Sequence, residues 1–178
     1  LKYAEKWAVN SSDVLIADSL GIQTYLKEKY QKKSCYIPYG ASLFSKSNDD
    51  VLGSYNVNKY EYNMLIARME PENNIEMIIR GHIEAKNRFL LLVVGNCSNK
   101  FGQYLKAKYN NAYIRFCGAI YDLEVLNNLR YFSNLYFHGH SVGGTNPSLL
   151  EAMASHALIA AHENVFNKAI LKANAYYF

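Results

Sequence analysis

Residues 138–154 read His-Gly-His-Ser-Val-Gly-Gly-Thr-Asn-Pro-Ser-Leu-Leu-Glu-Ala-Met-Ala, and this stretch carries the most chemistry per residue in the chain. A strand is expected to end at His138. A helix is expected to begin after Asn146, a natural N-cap, with Pro147 at the first helical position, where its missing N–H costs nothing. The adjacent Gly143 and Gly144 allow a tight turn that presents successive backbone N–H groups. Such donors at the positive end of a helix form an anion site, and a diphosphate is a fitting guest. Glu151, about one turn further on, could accept hydrogen bonds from the ribose of the same nucleotide. The competing reading is a tight strand-to-helix turn that binds nothing, with Glu151 a solvated helix residue.

Other residues offer less. Arg68 follows an apolar run and either faces a ligand or pairs with Glu70 or Glu72. His138 and His140 are two apart and could share a face as metal ligands, but zinc sites want three or four ligands and no third is near. Ser141 lacks the Gly-x-Ser-x-Gly elbow of a nucleophile. Cys35, Cys97 and Cys117 are odd in number and widely spaced, forming neither a disulfide framework nor a zinc knuckle; Cys117 reads as buried structure. Their usage suits a reducing compartment.

The elements that must position these residues alternate along the chain. Residues 13–17 read as a strand, followed by a helix capped by Ser19 with Tyr25, Leu26 and Tyr30 on one side. Cys35-Tyr36-Ile37 is a second short strand, stopped by Pro38 and Gly40. Residues 42–60 are polar and weakly patterned, which places a linker there and a domain boundary near residue 40. Beyond it, strands at 64–67, 89–94, 113–117, 135–138, 157–161 and 175–178 alternate with helices at 75–83, 98–110, 122–132, 147–155 and 166–171. Repeated β-α units imply an α/β, Rossmann-like, doubly wound parallel sheet with right-handed crossovers. Ligands of such sheets bind beyond the carboxyl ends of the strands. That rule selects Arg68, Gly95-Asn96, Gly118-Ala119-Ile120 and the stretch from His138 to Thr145.

Composition sets the outer bounds. The 178 residues carry 19 Lys+Arg against 15 Asp+Glu, a formal charge of +4, with no block of like charge. A nucleic-acid partner is disfavoured. Half of the chain is hydrophobic, enough for a core. The longest apolar run, Phe89 to Val94, is six residues, against about 20 for a membrane-spanning helix. The 16 Tyr and 8 Phe read mainly as core and half-buried strand residues. The chain opens at Leu1 without Met and closes on Ala175-Tyr176-Tyr177-Phe178, so a piece of a longer protein is expected.

The segment His140-Ser141-Val142-Gly143-Gly144-Thr145-Asn146-Pro147-Ser148-Leu149-Leu150-Glu151-Ala152-Met153 resembles the nucleotide-sugar signature of retaining glycosyltransferases of family 4. It is closest in form to bacterial rhamnosyltransferase-like members that build surface polysaccharides. Ala17-Asp18-Ser19 and Ile37-Pro38-Tyr39-Gly40-Ala41 resemble the end of the acceptor domain and its hinge. Ala67-Arg68-Met69-Glu70-Pro71-Glu72-Asn73-Asn74 resembles the opening of the donor domain. Phe116-Cys117-Gly118 with Asp122 resembles the base-side loop, and Ala161-His162-Glu163-Asn164-Val165-Phe166-Asn167 a later segment. The likeness implies the two-domain GT-B fold, with residues 1–40 as acceptor-domain tail and hinge and 41–178 as a C-terminally truncated donor-binding domain.

The same likeness implies roles. Arg68 and Glu151 are expected as the catalytic pair. Arg68 with the N–H groups of Gly143, Gly144 and Thr145 would hold the donor diphosphate, Glu151 the ribose, and Gly118, Ala119 and Ile120 the base. No cofactor and no metal are expected, since no Asp-x-Asp motif occurs. The expected partners are a nucleotide-sugar donor and a glycan or lipid-linked acceptor, the latter through an absent N-terminal domain. A cytoplasmic site, peripheral at the inner face of the membrane, is implied as well. Two departures stand out. The family pattern is Glu, seven residues, Glu, and Gly143 stands at the first position. The usual Lys five residues after the arginine is Asn73. An inactive isolated fragment is expected, and the alternative is a non-catalytic nucleotide-binding or structural module.

Overall fold

The computed structural model describes residues 2–86, 89–142 and 144–178. A first helix, α1 (Lys2–Ser11), is not foreshadowed by the sequence pattern. It precedes β1 (Ile16–Ala17), α2 (Leu20–Tyr30) and β2 (Cys35–Tyr36), and the two strands pair in parallel as a small sheet of their own. Ser19 caps α2 as expected, its Oγ accepting from the Ile22 N–H at 3.2 Å. The predicted apolar side of α2 is thinner than the spacing suggests. Only Leu26 is buried, while the Tyr25 hydroxyl donates to Glu5 of α1 at 2.6 Å. The segment read as a linker holds a short helix, α3 (Asp50–Gly53), because Leu52 inserts into the core.

The main sheet has six parallel strands. They are β3 (Tyr62–Ile66), β4 (Leu90–Val94), β5 (Ile114–Gly118), β6 (Leu135–His138), β7 (Ile159–Ala161) and β8 (Tyr176–Tyr177), in the order β5-β4-β3-β6-β7-β8. Between them run α4 (Ile75–Glu84), α5 (Lys100–Lys108), α6 (Leu123–Tyr131), α7 (Pro147–Ala154) and α8 (Val165–Leu171). A 3-10 turn, Pro71–Asn73, leads into α4. Asn99, Asp122, Asn146 and Asn164 each cap the helix that follows with a side-chain oxygen, which satisfies N–H groups that the helix itself cannot.

Each face of the sheet carries its own core. Tyr62, Met64, Leu92, Val94 and Tyr136 pack with Leu126 and Leu129 of α6 and Leu149 and Ala152 of α7. On the other face Leu65, Leu91 and Val93 meet Ile75, Ile78 and Ile79 of α4 and Leu105 of α5. Alternate residues of one strand thus serve opposite layers. The run Leu90–Val94 can be apolar throughout because both sides are covered. Among the described residues no helix is long and apolar enough to cross a membrane.

The strand order reverses between β3 and β6. There the two exits are laced together. The Glu72 carbonyl accepts from the Ser141 N–H at 3.2 Å and from its hydroxyl at 2.7 Å. The Asn74 amide donates to the Gly139 carbonyl at 2.8 Å. Gly139 must lack a side chain, since a Cβ there would stand 2.1 Å from the Asn73 carbonyl oxygen. Gly139→Ala should therefore cost about 1–3 kcal/mol, an overpacking penalty against backbone that cannot yield. Gly81, inside α4, would meet nothing within 4 Å, so Gly81→Ala should add about 0.5–1 kcal/mol by restricting the unfolded chain. Thermal unfolding of the two variants should shift Tm in opposite directions.

Candidate functional site

Beyond the carboxyl ends of β3 and β6 lies a crevice of about 560 Å³, lined among others by Arg68, Asn73, His138, His140, Asn146 and Ser148. This is the switch point of the sheet, the place where doubly wound folds leave room for a ligand. Asn73 shapes one wall. Its amide donates to the Arg68 carbonyl at 2.8 Å, and its Oδ1 lies 2.7 Å from His140 Nδ1. With the amide nitrogen engaged, Oδ1 is the acceptor and His140 Nδ1 carries the proton. Asn73 thus supplies no charge to the crevice and instead fixes the backbone of Arg68.

Arg68, just past the end of β3, lines the crevice. Among the described residues it has no ion pair, so pairing with Glu70 or Glu72 is not realised. The two histidines add no charge to it. Burial, and then His140, pushes the His138 imidazole down to about 3. Burial, and then the Arg68 guanidinium, lowers His140, with Glu72 opposing. At neutral pH both rings are uncharged. The His138 ring, 3% exposed, keeps an unpartnered Nε2. No group of three or more His, Cys, Asp or Glu among the described residues could hold a metal ion. Burial pushes the Cys117 thiol up to about 11, which disfavours its thiolate.

The other expected residues are spread more widely. Ala119 lines the crevice, whereas Gly118 lines a neighbouring hollow of about 670 Å³ that shares Asn96 and Ser98 with it. Ile120 packs against the core on the side of α6. Gly143 lies outside the described residues. Gly144 and Thr145 lie against Asp18 and are not among the residues that line the crevice. A Cβ at Gly144 would stand 2.7 Å from a carboxylate oxygen of Asp18, and the Thr145 hydroxyl donates to the Asp18 carbonyl at 3.3 Å. The crevice meets α7 instead through Asn146 and Ser148.

Glu151 sits on α7 above a buried polar group that the sequence reading missed. Its Oε2 lies 2.5 Å from Nη2 of Arg130, a residue of α6 that is 1% exposed, while the Glu151 side chain is 33% exposed. Arg130 also donates to Asn127 Oδ1 at 2.9 Å and to Ser148 Oγ at 3.3 Å, and its guanidinium lies 6.0 Å from the Tyr136 ring centre. Ser148 Oγ is 3.0 Å from the Tyr136 hydroxyl. The spacing of Ser148 and Glu151, three apart on one helix, is the only sequence signal for this cluster. An arginine in the last turn of α6 reads as a solvated charge until the fold buries it.

The family model described as a domain of unknown function, DUF1972, matches residues 1–42. No curated protein matches the chain. Among solved structures, Anabaena HepE in complex with UDP and glucose is 16% identical, with 99% of this chain and 52% of that one covered and a TM-score of 0.83. A glycosyltransferase from Rickettsia africae is 18% identical, with 98% and 52% covered and a TM-score of 0.79. Sucrose-phosphate synthase from Thermosynechococcus elongatus is 20% identical, with 98% and 47% covered and a TM-score of 0.77. The chain spans about half the length of these relatives. At such identities the likeness speaks to fold, and this chain has the Rossmann-like parallel α/β fold of GT-B glycosyltransferase domains.

Proposed function

We propose that the chain is the donor-binding domain of a retaining glycosyltransferase that takes a sugar from a nucleotide diphosphate and passes it to a growing surface glycan or lipid-linked acceptor. The observation that carries this reading is a crevice at the switch point lined both by Arg68, which has no ion pair among the described residues, and by Asn146 and Ser148 at the capped N-terminus of α7. Breaking the bond between anomeric carbon and diphosphate builds charge on the leaving phosphate. A fixed cation and a helix N-terminus lower that barrier by electrostatic preorganisation. With both histidines neutral, the positive potential there comes from Arg68 and the helix.

Glu151 is read as the ribose ligand, and Ala119 with Gly118 as the base-side wall. Gly144 and Thr145 remain diphosphate ligands in this reading only if the loop turns from Asp18 when the donor binds. Residues 1–40 are read as acceptor-domain tail and hinge. A rhamnose-type sugar, metal-independent transfer and a cytoplasmic site at the membrane's inner face follow from the resemblance of the 140–153 signature. UDP, which HepE holds, is one donor nucleotide to test beside dTDP. The replacement of a lysine by Asn73, which is engaged by its neighbours, favours a second reading as a nucleotide-binding module without transfer.

Calorimetric titration with UDP and dTDP tests the site. The chain should bind at least one of them, and Arg68→Ala should weaken it roughly tenfold or more, the worth of one charge-assisted contact, with an unchanged circular dichroism spectrum. Equal affinity in the variant refutes the assignment. Glu151→Ala is a poor probe, because it strands a buried guanidinium at a cost of about 3 kcal/mol or more. Glu151→Gln keeps a hydrogen-bond acceptor for Arg130 and should still lower nucleotide affinity. Sugar transfer measured with the acceptor-domain half present separates the two readings; the 178-residue chain alone should show none.

A further inference from the structure

The polar cluster beneath α7 brings two donors onto one serine oxygen, while Arg130 Nε stays buried with no partner among the described residues. Tyr136 is fully buried, and burial raises its phenol, so it keeps a proton that must find an acceptor. Among the described residues the only acceptor its hydroxyl reaches is Ser148 Oγ at 3.0 Å. Arg130 can only donate, and its Nη2 also points to Ser148 Oγ, at 3.3 Å. A serine oxygen accepts two hydrogen bonds, and these two donors fill both places. Among the described residues the serine proton then has no acceptor. Ser148 is half-buried and lines, at the start of α7, the same crevice that Arg68 lines.

We propose that Ser148 is a phosphate-binding residue of the crevice, its hydroxyl proton turned toward a phosphate oxygen of the bound diphosphate because Arg130 and Tyr136 occupy both of its acceptor sites. This rests on the diphosphate reading of the crevice and adds a donor that the sequence did not single out. The adjacent Arg130 cation polarises the hydroxyl and strengthens it as a donor. Arg130 and Tyr136 are positioning residues, and through Arg130 the same cluster also holds the Glu151 carboxylate. The phosphate and ribose ends of the nucleotide are thereby set by one buried guanidinium.

The test uses UDP and inorganic diphosphate as titrants of the 178-residue chain. Ser148→Ala should weaken both about tenfold, and Ser148→Thr, which keeps a hydroxyl, should recover most of the loss. Tyr136→Phe should cost about threefold alone and nothing further in the Ser148→Ala background, since both act through one proton. Wild-type affinity in Ser148→Ala, or a loss for UDP with none for inorganic diphosphate, overturns the proposal. Additive losses in the double variant overturn the positioning roles. A wild-type chain that binds neither titrant overturns the diphosphate reading itself, a result distinct from binding that ignores Ser148.

Discussion

Glu72, Asn73 and Asn74 on one side of the switch point are bonded to Gly139, His140 and Ser141 on the other, and everything in the crevice is placed relative to that seam. The segments leaving these two parallel strands run to helices on opposite faces of the sheet, α4 and α7, and would otherwise splay and leave a loose cleft. Here short polar bonds hold the exits together, and the one close backbone approach is made possible by a residue without a side chain. The seam also explains why Asn73 serves where a lysine would not. A lysine cannot accept from His140 while donating to the Arg68 carbonyl, so the charge is given up for a fixed wall.

Charge in this region is arranged by burial. Two imidazoles are kept neutral, one guanidinium lining the crevice has no ion pair among the described residues, and a second is sealed beneath α7 against a carboxylate. The crevice cation is available to an anionic ligand without first breaking an ion pair. The sealed one cannot reach solvent, so its contribution passes through the groups it touches. A buried pair of this kind contributes little net stability, and its guanidinium touches both the Glu151 carboxylate and the Ser148 hydroxyl.

Much of this was legible in the sequence. The β-α alternation after residue 60 follows from short apolar runs and capping residues, and Ser19, Asp122 and Asn146 cap where their positions suggest. Arg68 could be singled out because it directly follows an apolar strand. Other features depend on partners far along the chain. Asn73 meets His140 across 67 residues, and Arg130 meets Glu151 across 21, distances over which periodicity says nothing. The helix at Asp50–Gly53 was hidden because one buried leucine, rather than a repeating pattern, holds it down. Gly144 looked like a phosphate-loop glycine, yet in the folded chain its missing side chain makes room for Asp18.

That last contact ties two positions 126 residues apart into a compensating pair. The bulk removed at 144 is the bulk present at 18, so substitutions at the two sites are not independent. A homologue with a small residue at 18 has space for alanine at 144, whereas one that retains aspartate must turn its carboxylate aside to admit it. Glycine at 144 in this respect leaves the Asp18 carboxylate where it stands.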